Sequence, residues 1–291
     1  MIDKILFEKI KRIHIRSNKL VNTIVAGEYE SAFRGRGMEF QQVREYVPGD
    51  DIRLIDWNVT ARTGGAFIKE FKEERELNIM VAVDLSASSI FGSSKEMKRD
   101  VAAELAALFS CLAVKSNDRI GMLLFTDKIE KFLPPNKGRS NIWRVIKEVL
   151  SFEPSGTGTD IAMALNFLSK AIRRRAVCFV ISDFLSSGYE KALKLINNKH
   201  ETVAVSVMDR REYELPSVGY AELQDAETGE TMLVNTSNEK IRKIFRIRSQ
   251  KRLEIMHNFF IANNIDHIDI WTDVPYIYPV LRYFKMKEKK H

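Results

Sequence analysis

Two kinds of apolar pattern alternate along the chain. Leu77 to Val83, Arg119 to Phe125, Ala176 to Ile181, Thr202 to Met208 and His267 to Trp271 are short and almost continuously apolar. They read as strands of a sheet that is covered on both faces. Between them, apolar residues return every three or four positions. Lys95 to Lys115, with Met97, Val101, Leu105, Leu108 and Leu112 on one stripe, reads as a helix, as do Asn141 to Phe152, Asp160 to Arg174 and Gly188 to Asn198. Asp127-Lys128 predicts a tight turn, with Ile129 to Leu133 as an antiparallel return. Strands alternating with helices predict an α/β fold with a mostly parallel sheet and right-handed crossovers.

The pattern changes at both ends. Residues 2 to 25 place Ile2, Leu6, Ile10, Ile13, Leu20 and Ile24 on one helical face with Lys and Arg opposite. Such a helix either docks on the body or lies on a membrane surface or partner. A polar segment follows, in which Arg44, Arg53 and Arg62 can pair with Asp50, Asp51 and Asp56 around the Pro48-Gly49-Asp50 turn. Ala66 to Phe71 reads as a strand and Lys72 to Glu76 as a charged connector. Near the other end, Ala221 to Val234 reads as a hairpin turning at Thr228-Gly229, Asn238 to Asn263 as a long basic helix, and Val274 to Met286 as a last helix. The expected organisation is an N-terminal extension over 1–76 and a main domain over 77–291, with a hairpin insertion around 221–235.

The candidate chemistry sits where strands end. Asp84, Ser86 and Ser88 follow the Leu77 to Val83 strand, Asp183 follows Ala176 to Ile181, and Thr159 stands at the entry to the Asp160 helix. In a parallel sheet these ends share one edge, the edge at which ligands bind. Ser86 and Ser88, two residues apart, point the same way from an extended loop. Hydroxyls with few carboxylates suit a hard cation such as Mg²⁺, with Ca²⁺ or Mn²⁺ as substitutes, and leave it charge enough to attract an acidic side chain.

Composition narrows the reading. Lys and Arg number 46 against 39 Asp and Glu, a formal charge of +7, so acidic proteins, nucleic acid or an anionic membrane surface are all admissible partners. Arg173-Arg174-Arg175 and the basic helix are the nucleic-acid candidates, but few aromatic residues are interleaved with them to stack on bases. Cys111 and Cys178 lie in apolar patterns, outside any metal or redox spacing. The charged N-terminus lacks a signal-like apolar core, and the apolar run from Leu105 to Val114 is too short to span a bilayer, so a reducing cytoplasmic location is expected. No G-x-x-x-x-G-K loop is present. A phosphatase-like site would want a second acid where Ser86 stands, and the five histidines fall away from the strand ends, leaving Ser86 and Ser88 without a general base. A non-enzymatic binding protein is the expectation.

Asp84, Ser86, Ser88, Thr159 and Asp183 resemble the metal-ion-dependent adhesion site of the von Willebrand factor A-like fold, written D-x-S-x-S, then a loop Thr, then a loop Asp. Thr157 offers the same group; the resemblance favours Thr159, because the family Thr directly precedes an Asp. Upstream, Gly35, Gly37, Glu39, Phe40, Arg44, Tyr46, Pro48 to Asp51, Arg53, Ile55, Asp56, Trp57 and Ala61-Arg62-Thr63 resemble the signature of the bacterial domain-of-unknown-function fifty-eight family. The resemblance implies a three-layer, Rossmann-like fold and Mg²⁺ held by those five residues. Members are typically encoded beside MoxR-type AAA+ ATPases, which implies an adaptor that helps assemble or activate other complexes, with the ATPase or a client bound through an acidic side chain. The alternative is a basic nucleic-acid- or membrane-surface-binding protein with an empty metal site.

Overall fold

A computed structural model describes residues 4–22, 26–33, 38–73, 76–93, 97–226 and 229–289. Gly35 and Gly37 of the signature, Ile2, Ile24, Lys95, Thr228 and the end of the basic tail lie outside the described residues. The chain divides into two compact units, Met1–Ala32 with Leu77–His291, and Phe33–Glu76. The extension expected over 1–76 is therefore divided, its first 32 residues grouping with the larger unit.

The chain opens with helices α1 (Lys4–Leu20) and α2 (Ala26–Phe33). Burial explains why α1 belongs with the body. Ile10, Ile13 and Ser17 are buried, α1 packs on the later helices α4 (Lys98–Lys115) and α5 (Ser140–Ser151), and Lys9 and Arg16 pair with Asp100 and Glu104 of α4. Of the apolar stripe that suggested a membrane surface, Ile10 and Ile13 are covered by protein and Leu20 is half-buried. In the smaller unit, β1 (Met38–Glu45) pairs antiparallel with β2 (Phe67–Glu73), and α3 (Trp57–Thr63) lies between them in sequence. Arg44 and Asp50 form the expected two-bond fork, 2.8 Å at each arm, and Arg53 pairs with Asp51. Asp56 has another role: its carboxylate accepts from Asn58 N and Val59 N and caps α3.

The larger unit is built on a six-stranded sheet. In chain order the elements are β3 (Asn78–Asp84), α4, β4 (Arg119–Phe125), β5 (Ile129–Asn136), α5, α6 (Ile161–Ala171), β6 (Ala176–Ser182), α7 (Glu190–Lys199) and β7 (Glu201–Met208). After the hairpin β8 (Tyr220–Gln224) and β9 (Thr231–Asn235) come α8 (Glu239–Ala262), β10 (Asp266–Trp271) and α9 (Ile277–Glu288). The sheet order is β10-β7-β6-β3-β4-β5, parallel throughout except for β5, the antiparallel return. Met80, Ala82, Cys178, Val180 and Ala204 bury one face under α6, α7 and α8. On the opposite face Phe109 of α4 stacks on Phe179 of β6 at 3.9 Å. The layered α/β expectation holds because each strand alternates side chains into two helical layers.

Strand order also places the site. From β3 the chain proceeds outward to β4 and β5, then returns to lay β6 against the other side of β3. The carboxyl ends of β3 and β6 thus meet where the order reverses, opening a crevice that no crossover fills.

Candidate metal centre at the strand ends

β3 delivers Asp84 and β6 delivers Ser182 and Asp183 to this crevice. Ser86 N donates to Asp84 Oδ1 at 2.9 Å, turning the chain into a 3₁₀ turn over Ala87–Ile90. Ser182 Oγ donates to Asp84 Oδ2 at 2.6 Å. Ser88 Oγ donates to Asp183 Oδ2 at 2.8 Å and stands 3.2 Å from Ser86 Oγ. Leu185 N donates to Asp183 Oδ1. The turn requires a left-handed Phe184, φ +53°, a conformation unfavourable for a side chain of that size. Packing of the Phe184 ring against Tyr189 and Phe260 holds it there. Asp84, Ser86, Ser88 and Asp183 are therefore joined by direct bonds. The threonine loop is tied in through its backbone, Ala87 N donating to Thr157 O at 3.0 Å. Thr157 is exposed, Thr159 is half-buried, and Asp160 caps α6 by accepting from Met163 N.

A cation already stands in this group. Lys98, in the first turn of α4, is 3% exposed, and its ammonium donates to Asp183 Oδ2 at 2.8 Å and to Glu212 Oε1 at 2.5 Å. Burial alone would raise the Asp183 carboxyl, but Lys98, together with the bonds from Leu185 N and Ser88 Oγ, outweighs it and holds the group below the usual range. Glu212 is shifted upward, burial outweighing the same ammonium. Burial, and then the charge of Asp183, push Asp84 up to about 6. With all three carboxyls ionised, three negative charges face one positive charge, so two negative charges remain unmatched.

A hard divalent ion fits that donor set. A cavity of about 20 Å³ is lined by Asp84, Ser88, Ser89, Lys98 and Asp183 among others, room for one water-sized occupant. Ser89 Oγ, buried on its wall, has no hydrogen-bond partner among the described residues. Lys98 lines this cavity as well, its ammonium bonded to Asp183 Oδ2. Each carboxylate oxygen retains acceptor capacity beyond its present bonds, and two positive charges would balance the group.

A protein-family profile described as "Protein of unknown function DUF58" matches residues 42–254. The chain belongs to the DUF58 family. Uncharacterised proteins of Mycobacterium bovis and Mycobacterium tuberculosis are each 33% identical to this DUF58 chain over 230 residues, 78% of this chain and 73% of theirs. Among solved structures, the conserved hypothetical protein BatB from Bacteroides thetaiotaomicron is similar at 17% identity and a TM-score of 0.46, over 73% of this chain and 99% of that one. An aerotolerance-related membrane protein from Bacteroides fragilis is similar at 18% identity and 0.46, over 74% and 100%. Likeness at that distance assigns no ligand or partner.

In this DUF58 chain, sequence reasoning missed three members of the cluster. Ser182, Lys98 and Glu212 lie outside the five residues that the sequence motif marks. The signal for Lys98 was its spacing: it precedes Val101 and Leu105 by three and seven residues, which places a lysine on the buried stripe of α4. Away from the strand ends, His257, His267 and Asp269 offer ligand atoms within 4.8 Å of one another, a group able to coordinate a divalent metal. There His257 Nε2 lies 3.0 Å from Asp269 Oδ2, and that bond raises the imidazole pKa. His14 stacks on Trp143, and His200 precedes β7 at the opposite edge of the sheet. Among the described residues no helix is long and apolar enough to cross a membrane.

Proposed function

We propose that this protein is a non-enzymatic, divalent-metal-dependent protein-binding adaptor. Ser86, Ser88 and Thr159 would hold Mg²⁺ together with Asp84 and Asp183, and an acidic side chain of a partner would complete the coordination. Mg²⁺ favours six oxygens and keeps some of them as water, so one position remains exchangeable. The observation that carries this reading is the charge of the cluster: two unmatched negative charges around an ion-sized cavity walled by hydroxyl oxygens. The bonding of Ser86 and Ser88 favours binding over catalysis, since these hydroxyls are engaged with each other and with Asp183, and among the described residues no histidine bonds to them to act as base. Family resemblance suggests a MoxR-type AAA+ ATPase or its client as partner, in the cytoplasm.

The test couples two measurements. Calorimetric titration with MgCl₂ is expected to show one site in the wild type and none in Asp84→Ala, and a pull-down with the cognate ATPase is expected to lose partner in the same variant. A folded Asp84→Ala protein that no longer takes metal yet binds partner normally sinks the proposal. By reciprocity, partner should raise metal affinity by the same factor.

A further inference from the structure

We propose that Lys98 is a resident second cation of this site, matching Asp183 and Glu212 so that a bound divalent ion keeps its positive field for an incoming carboxylate. This rests on the metal reading above, which counts the charge of Lys98 but gives it no part in holding the ion or the partner. Lys98 occupies an adverse position on two counts. It is buried, and it stands in the first turn of α4, where the helix dipole disfavours a cation. Two carboxylates offset those costs, and both are held for the purpose. Asp183 is fixed by Leu185 N and Ser88 Oγ. Glu212 Oε2 accepts from Asp209 N at 3.1 Å, which leaves Oε1 for Lys98.

Asp209 in turn is anchored from several loops. Its carboxylate accepts from Ser93 N at 2.8 Å, from Ser93 Oγ, from Arg211 N at 2.9 Å and from Thr272 Oγ at 2.7 Å. The loops after β3, β7 and β10 are thereby locked into one frame that presents Glu212 to Lys98. An ammonium so constrained adds a fixed positive charge beside the cavity, and a fixed charge acts with opposite sign on the two ligands of the site. It repels a metal ion and attracts the carboxylate that completes the ion's coordination.

Opposite signs are a signature that general damage to the fold does not produce. Three variants test it: Lys98→Gln, Glu212→Gln and the double variant, each checked for fold by thermal melting. The probes are MgCl₂ by calorimetry, and sodium acetate added to the Mg²⁺-loaded protein at constant ionic strength, followed by NMR shifts. Lys98→Gln is expected to bind Mg²⁺ about tenfold tighter and acetate several-fold weaker, the scale of one charge acting through a protein interior. Glu212→Gln is expected to move both affinities the other way, and it decides the matter alone if Lys98→Gln does not fold. The double variant keeps the wild-type charge of the cluster and is expected to return near wild type in both. A Lys98→Gln protein that loses Mg²⁺ affinity, or a variant that shifts both affinities in one direction, overturns the inference while leaving the metal reading intact. Absence of Mg²⁺ binding by the wild type and all variants overturns both.

Discussion

Replacing Asp84 by asparagine should stabilise the ion-free protein, the reverse of what most buried substitutions do. In the folded state the Asp84 carboxyl is shifted from its ordinary 3.8 up to about 6, by burial and then by the charge of Asp183. A carboxyl with a raised folded pKa favours the native state below its unfolded value, and that contribution is lost as pH rises through the folded one. Stability of the ion-free wild type should therefore fall between about pH 4 and pH 6 and level off above. At about 1.36 kcal/mol per pKa unit, the charge costs about 3 kcal/mol at pH 8. Asparagine removes that charge and keeps an acceptor for Ser86 N. Its amide meets Ser182 Oγ, which now donates to Asp84, and rearranging that bond costs about 1 kcal/mol. The variant should thus gain about 2 kcal/mol at pH 8 in chelator and lose up to about 1 kcal/mol at pH 4, where the charge cost has gone and the rearranged bond remains. Saturating Mg²⁺ should erase or invert the gain, because an ion at a hundred times its Kd stabilises the wild type by about 2.7 kcal/mol. Urea unfolding at both pH values, with EDTA and with MgCl₂, measures all four numbers. An asparagine variant less stable than wild type at pH 8 in EDTA, or a difference indifferent to pH, refutes the claim that Asp84 is an uncompensated buried charge.

Other parts of the molecule carry their own tests. A Cβ at Gly121 would lie 2.5 Å from Met80 Sδ and 2.8 Å from the backbone of Leu133 and Pro135, so Gly121→Ala should cost about 1–3 kcal/mol by denaturant unfolding. Ile13→Ala, at a 2% exposed position of α1, should cost about 2–5 kcal/mol and speed hydrogen exchange along α1; unchanged exchange would show that α1 does not depend on its contact with α4 and α5. In the smaller unit the Arg44 fork holds Asp50 down at about 2, so Arg44→Ala should return the Asp50 midpoint toward the ordinary carboxylate range in an NMR titration.

What could be read in the sequence follows from what each segment buries. β3, β6 and β7 are covered on both faces, so their apolar runs stand out, and Asp84 at the end of β3 and Asp183 just after β6 are conspicuous beside them. The long helices declare themselves through their stripes in the same way. α3 buries no residue, so Trp57 to Thr63 has no stripe to read, and what the sequence shows there is the density of Arg and Asp residues able to pair. β1 alternates poorly because it belongs to a two-stranded ribbon, not to the central sheet. Lys98 is silent in the sequence for a different reason. A lysine is ordinarily a solvated residue, and only the three-dimensional meeting of Asp183 and Glu212, 29 positions apart, makes its burial affordable. Cooperation between distant residues of opposite charge leaves no periodicity in a chain.

In the proposed adaptor, Asp84, Asp183 and the neighbouring hydroxyls enclose a place for one divalent ion. Calorimetric titration of the chelator-treated protein with MgCl₂ tests it most directly, run beside Ser86→Ala and Asp84→Ala proteins whose fold has been checked. One saturable site in the wild type, lost in both variants, is the predicted result; no saturable binding in the wild type, or binding that survives both substitutions, contradicts the account.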